Sequence, residues 1–287
     1  MHFLAVPELA EVEFFRRRWA DAAQGQRVAS VALHGKAKIF RGIDPDDIAH
    51  ALPGKRLLRS EAAAKQMLFR FSGDLWLGIH LGMTGELTVQ PPTHTPAKHD
   101  HLVIVTTKHA LVFSDHRMFG RVQFHEGEDA PSWWSQIAPP VLGPEFTEKA
   151  VAAFLARRRR APIKAVLLMQ ERFPGIGNWM ADEILWRAGI HPRREAGSLT
   201  PAETKTLWRE CRHVARAALE KIAGVGGKLP PDLNIHIPNT WLFHHRWEDG
   251  GRCPKTGVPL IREEIGGRTT CWSPGRQKDP DRKTRAK

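Results

Sequence analysis

The sequence predicts an α+β fold: an N-terminal helix, an antiparallel β-sandwich, a helical second half and a short strand-forming tail. Three observations carry this. Residues 8–24 place Leu9, Val12, Phe15 and Trp19 at helical spacing. From Arg27 to His125 the chain breaks into short alternating or apolar runs punctuated by glycine and proline. Beyond residue 146 helical spacing returns.

The sandwich strands read as Val28–Leu33, Gln66–Phe71, Leu75–His80, Leu87–Gln90, His101–Thr106, Ala110–Ser114 and Arg121–His125. Residues 130–146 read as a linker, because Ala130–Pro144 holds four prolines and two tryptophans. Helices follow at 147–156, 162–172, 178–189 and 201–222. The last starts on a capping box, with Thr200 as N-cap, Pro201 at the first position and Glu203 three residues on. Gly224-Val225-Gly226-Gly227 ends it. Two strand-like runs close the ordered part, 257–262 and 268–272, and the basic residues Arg276 to Lys287 read as a disordered tail.

At 287 residues the chain has room for two modest domains. No apolar run reaches the roughly 18–20 residues that span a membrane, and Met1–Val6 lacks the features of a signal peptide. The expected location is cytoplasmic. A net charge of +12 favours a polyanionic partner, nucleic acid before membrane surface. Cys211, Cys253 and Cys271 are too few and too scattered for a disulfide framework.

Five segments have chemical potential. Pro7-Glu8 puts a secondary amine beside a carboxylate, provided Pro7 is the mature N-terminus; such an amine attacks a sugar C1′ and forms an iminium. An internal proline is a tertiary amide and cannot. Phe173–Trp179, with Gly175 and Gly177, joins two helices and suits a phosphate, and the run Arg157–Arg160 lies just before it. Glycine turns of this kind more often only cap a helix, and arginine runs are commonly solvated. His80–Gly85 and Asp115–Gly120 are ordinary turns one by one; together they offer an apolar wedge and an arginine, as base extrusion requires. Cys253-Pro254-Lys255-Thr256 is half a zinc knuckle without the rest.

These pieces stand in the order of one family. The chain resembles the bacterial formamidopyrimidine-DNA glycosylases and their endonuclease VIII relatives from Pro7 to about Gln277. The shared motifs are PELAEVE (7–13), HLGMTGEL (80–87), KHDHL (98–102), SDHRMFG (114–120), LGPE (142–145), Ile163-Lys164 with GIGNWMADEILWRAGIHP (175–192), and GRTT (267–270). The resemblance implies a catalytic sandwich domain (1–129), the linker, a helix–two-turn–helix domain (147–240) and a finger hairpin (241–277) ahead of the tail (278–287).

It also implies roles. Pro7 matches the nucleophile, Glu8 the acid that protonates the sugar ring oxygen, and Lys65 a hairpin lysine near the active site. A carboxylate in Glu8's role must hold a proton near neutral pH. His80, Lys164, Asn178 and Arg268 match contacts to the DNA backbone. Met83, Arg117 and Phe119 match the residues that fill the gap, with Arg117 facing an opposite cytosine. The implied reaction displaces an oxidised base, forms a proline Schiff base and ends in β- and commonly δ-elimination. The implied partner is double-stranded DNA carrying oxidised bases or abasic sites, bound by a monomer without a cofactor.

The chain departs from the family in four ways. Residues Met1–Val6 precede Pro7, and the preferred explanation is that Val6 marks a GTG start. The four-cysteine zinc finger keeps only Cys253; Thr256, Ser273 and Arg276 stand at the other positions, so a zincless finger is expected. Residues 228–240 do not resemble the loop that covers flipped 8-oxoguanine, which leaves the lesion open. Ala10 and Met118 replace a common proline and arginine. The alternative function is a non-catalytic paralogue that binds damaged DNA with Pro7 blocked. An RNA-binding protein would leave the Pro-Glu pair and both wedge turns unexplained.

Overall fold

The computed structural model describes residues 6–34, 36–233 and 235–278. The expected basic tail beyond 278 and residues 1–5 lie outside them. Two units are distinct: one holds the described residues up to Ile137 with Ala223–Leu233, the other Ala138–Ile222 and the residues from 235 onward.

In the first unit, helix α1 (Leu9–Ala23) starts on Glu8, which forms a reciprocal capping box with Glu11. One face of α1 is apolar, and Phe14, Phe15 and Trp19 are buried. Trp19 packs on Phe69 with ring centroids 5.3 Å apart and donates its indole N–H to the Thr88 carbonyl at 3.0 Å. Strand β1 (Val28–Leu33) follows. A short helix α2 (Pro45–Ala51) comes next, held by the Asp44 carboxylate on the Asp46 N–H and by Pro45 in its first turn. Strands β2 (Leu57–Ala63), β3 (Gln66–Phe71), β4 (Leu75–His80), β5 (Glu86–Gln90), β6 (Asp100–Thr106), β7 (Ala110–Ser114) and β8 (Arg121–Glu126) complete two antiparallel sheets. Their orders are β1-β6-β7-β5 and β2-β3-β4-β8. α2 and β2 escape the sequence reading. α2 is only seven residues long, and β2 is an edge strand that buries little beyond Leu57, so it carries no strong alternation.

Within the expected linker, helix α3 (Ser132–Ser135) lays Trp133 over Gly78, where a Cβ would lie 2.3 Å from the ring. The second unit contains α4 (Glu148–Arg157), α5 (Ile163–Leu167), α6 (Asn178–Ala188), α7 (Pro201–Ala223) and the hairpin β9 (Ile261–Ile265) with β10 (Arg268–Trp272). α5 ends five residues before the sequence reading places it. Gln170 takes over there: its amide donates to the carbonyls of Leu168 and Ile176 and accepts from the Gly175 N–H, fixing a turn instead of a helix. The first finger strand runs four residues later than the 257–262 reading.

Residues Ala223–Leu233, which follow the long helix, group with the sheet unit. Arg17 of α1 donates to the carbonyls of Ala223, Gly224 and Gly227, which fastens the 223–233 segment to the sheet unit. A cation on the last carbonyls of a long helix satisfies orphan acceptors and the helix dipole together. No helix among the described residues is long and apolar enough to cross a membrane.

Candidate active site and nucleic-acid interface

Pro7 and Glu8 sit immediately ahead of α1, both buried, Glu8 at 1% exposure. The Glu8 N–H donates to the Glu11 carboxylate at 3.2 Å, and the Glu8 carboxylate accepts from the Glu11 N–H. The capping box therefore fixes the direction in which the chain leaves Pro7. Lys65 occupies the tip of the two-residue β2–β3 hairpin, behind Ala64 in the left-handed region at φ 55°. His80 ends β4, paired across the sheet with Gln66 on one side and Arg121 on the other. Its Nδ1 accepts the Gly82 N–H at 3.0 Å, so the ring proton sits on Nε2. Burial lowers the His80 pKa below 6.5, and the facing charges of Lys65, Arg41 and Arg121 lower it further. His80 is thus a neutral donor at neutral pH.

Met83 lies on the β4–β5 turn, Arg117 and Phe119 on the β7–β8 turn. Met83 is 38% and Phe119 50% exposed, unusual for large apolar groups in a well-packed sheet unit. The Arg117 guanidinium rests over the Phe119 ring at 4.8 Å. The two turns are joined by a residue the sequence reading passed over, Asp115. Its carboxylate is fully buried and accepts from the Thr84 hydroxyl at 2.6 Å, the Gly120 N–H at 2.7 Å and the Arg117 N–H at 3.2 Å. Its carbonyl accepts from His101 Nε2 at 2.9 Å, and His101 Nδ1 meets His34 Nδ1 at 3.3 Å. Close approach of the turns needs Gly82: a Cβ there would stand 2.5 Å from the Gly120 nitrogen, and its φ is +65°. The clamp also holds Met118 at φ 54°, a conformation of of order 1–3 kcal/mol strain. An aspartate ending a strand just before a turn is the signal that identifies it.

In the second unit the structure corrects one expectation. Lys164 is not positioned to meet a phosphate. Its side chain is fully buried, with the ammonium 2.7 Å from the Asn178 carbonyl and 2.5 Å from Asp182 Oδ1. Its backbone N–H donates to the Pro192 carbonyl. Asp182 Oδ2 accepts from Arg246 at 2.6 and 3.1 Å and from the Cys271 N–H at 2.9 Å. A lysine committed in this way braces α5, α6 and β10. Asn178 opens α6 and donates its amide to the Thr269 carbonyl at 2.9 Å, which brings the helix start against the residue beside exposed Arg268. Asn178 and Arg268 are therefore neighbours at one end of the unit.

The residues at the finger's four ligand positions do not fit zinc, which wants four thiolate or imidazole donors. The Trp186 ring N–H donates to Cys253 Sγ at 3.3 Å. Burial raises the Cys253 thiol pKa, but the Ser273 and Thr256 hydroxyls, the Trp186 N–H and the Lys255 N–H outweigh it and bring it to about 7. Arg276 lies over Trp186 at 5.0 Å and donates to the carbonyls of Trp186 and Arg187 at the end of α6. Trp186, Leu242, Cys253, Leu260 and Cys271 form one buried cluster. Among the described residues no group of three or more His, Cys, Asp or Glu side chains is arranged to hold a metal.

Comparison with known proteins follows the same division. Residues 6–122 match the formamidopyrimidine-DNA glycosylase N-terminal domain, and residues 137–227 match the formamidopyrimidine-DNA glycosylase H2TH domain. A formamidopyrimidine-DNA glycosylase of Chloroflexus aurantiacus is 36% identical over 94% of this chain and 96% of its own. One of Geobacter sulfurreducens is 35% identical over 95% of this chain and 100% of its own. Among solved structures, Lactococcus lactis Fpg (MutM) with DNA containing N7-benzyl-Fapy-dG superposes with a TM-score of 0.82 at 25% identity, covering 95% of this chain and 100% of that one. The same enzyme with abasic-site DNA also gives 0.82 at 25% identity and the same coverage. With matches spanning most of its length and both kinds of domain, the chain belongs to the formamidopyrimidine-DNA glycosylase family.

Proposed function

We propose that this protein is a base-excision repair DNA glycosylase with AP lyase activity, acting on oxidised bases of the formamidopyrimidine or 8-oxoguanine type in duplex DNA. The observation that carries the reading is the buried Pro7–Glu8 pair at the capped start of α1, in the same unit as the exposed Met83, Arg117 and Phe119. An amine at Pro7 attacks C1′; the oxidised base leaves, and the C1′–N bond becomes an iminium. Glu8 protonates the ring oxygen as the sugar opens, and Lys65 supports the charge of the phosphate next to it. Removal of a C2′ proton then breaks the C3′–O bond. Met83 and Phe119 fill the space vacated by the flipped base, and Arg117 reads its former partner. Asn178, Arg268 and His80 hold the backbone, in the zincless finger's case without a metal.

The chemistry requires that Pro7 be exposed as an amine, so residues 1–6 are absent from the active form. The match to the family's N-terminal domain beginning at Val6 supports a start there. The cytoplasm, on nucleoid DNA, is the proposed location.

The test is borohydride trapping on abasic-site duplex with protein expressed from its natural upstream region and with a form beginning Met-Pro7. A covalent adduct mapped to Pro7 in both is expected. Tight binding without an adduct in either form would replace the enzyme with a non-catalytic damaged-DNA binder. Glu8→Gln is expected to keep binding and lose base release; equal loss of both would make Glu8 structural.

A further inference from the structure

Resting on that function, we propose that Arg121, backed by Arg41, completes a phosphodiester-binding site around His80 and Lys65 that grips the DNA backbone beside the gap-filling turns. Four separate elements supply it. Lys65 comes from the β2–β3 hairpin tip, His80 from the end of β4, Arg121 from the start of β8, and Arg41 from the turn after the short helical segment Lys38–Phe40. His80 and Arg121 are direct cross-strand partners. The Arg121 Nη2 lies 3.6 Å from where a Cβ on Gly42 would stand, which brings it beside the residue that follows Arg41.

The hydrogen bonding of the two arginines differs in an informative way. Arg41 is anchored, donating to the carbonyls of Gly120 at 2.7 Å, Lys38 at 3.2 Å and Phe119 at 3.4 Å. That fixes its charge against the end of the Arg117–Phe119 turn. Arg121 is exposed, and among the described residues no hydrogen bond or ion pair holds its guanidinium. Other arginines here have found carboxylates: exposed Arg158 pairs with Glu171 at 2.9 Å and half-buried Arg70 with Asp74 at 3.1 Å. Around His80, by contrast, three cations face one neutral ring, and no described carboxylate pairs with any of them. The inward nitrogen of His80 is engaged by Gly82, which leaves the Nε2–H for an acceptor from outside the protein. Like charges gathered without a counterion oppose folding, so an external anion is the group that satisfies the arrangement. A phosphodiester supplies one negative charge and acceptor oxygens for a planar guanidinium and a ring N–H.

The experiment measures binding to a duplex carrying a stable abasic-site analogue across a salt series, using the form beginning at Pro7. Arg121→Ala is expected to lower the slope of log K against log salt by about 0.9, and Arg121→Lys to restore it. Lys108→Ala removes the same charge from the β6–β7 turn, at the other end of β7 from the gap-filling turns, and is expected to leave the slope unchanged. A slope for Arg121→Ala equal to that of the parent overturns the site. So does an equal fall in Lys108→Ala, which would make the effect one of net charge. If the parent itself shows neither damage-dependent binding nor a trapped adduct, the proposed function fails instead.

Discussion

Replacing Lys164 by methionine keeps the volume of a fully buried side chain and removes its charge. Asp182 Oδ1 then loses its ammonium partner at 2.5 Å, and the Asn178 carbonyl loses a donor at 2.7 Å. Breaking a buried ion pair by removing one member costs about 3–5 kcal/mol, because the other charge stays desolvated. Asp182 keeps Arg246 and the Cys271 N–H on its second oxygen, which places the cost at the lower end. For a cooperative unit of this size that corresponds to a fall in Tm of about 10 °C. Calorimetry reads the stability, and a salt series on lesion duplex, run well below the lowered Tm, reads the phosphate contacts. The expected result is a large loss of stability with the salt slope unchanged. An unchanged Tm with a slope lower by about one would refute the reasoning and make Lys164 a phosphate ligand after all.

Asp115→Ala removes the carboxylate shared by Thr84, Arg117 and Gly120 and releases Met118 from its left-handed conformation; the ratio of single-turnover rates opposite cytosine and adenine should fall toward one, and an unchanged ratio would separate the clamp from base reading. His80 is held neutral by burial and by Lys65, Arg41 and Arg121, so its contribution to fold stability is present above pH 6.5 and lost as pH falls through its lowered folded value. A bound phosphate reverses the local charge and raises that value. DNA affinity should therefore rise as pH drops from neutrality toward 6.5, and His80→Gln should flatten the profile. The finger should hold its Tm and its DNA affinity in the presence of chelator, whereas stoichiometric, chelator-resistant zinc would contradict the side-chain cluster that fills it. Because the folded Cys253 thiol ionises near pH 7 rather than 9, the stability advantage of the parent over Cys253→Ser should be full above pH 9 and lost as pH falls through 7.

Local groupings of residues were legible in the chain. The Pro7-Glu8 pair, the Thr200–Glu203 capping box and the two wedge turns each depend on residues a few positions apart, and the structure shows the box as read, with the Glu203 N–H on Thr200 Oγ1 at 3.2 Å. Helical and alternating periods likewise separated a sheet-forming half from a helical one, because those periods record which face each element buries. Lys164 shows where such reading ends. Its position in a motif says nothing about Asp182, 18 residues on, or about Arg246, 64 residues beyond that. Asp115 looked like an ordinary turn residue until folding put Thr84 and Gly120 against it. The finger's missing ligands were countable in the sequence, but the indole N–H and the Arg276 stack that occupy their place were not. Sequence thus determined which groups are present and which elements carry them. Tertiary packing alone decided which charges are desolvated against a partner and which are left facing outward for an anion, since desolvation and pairing depend on neighbours distant along the chain.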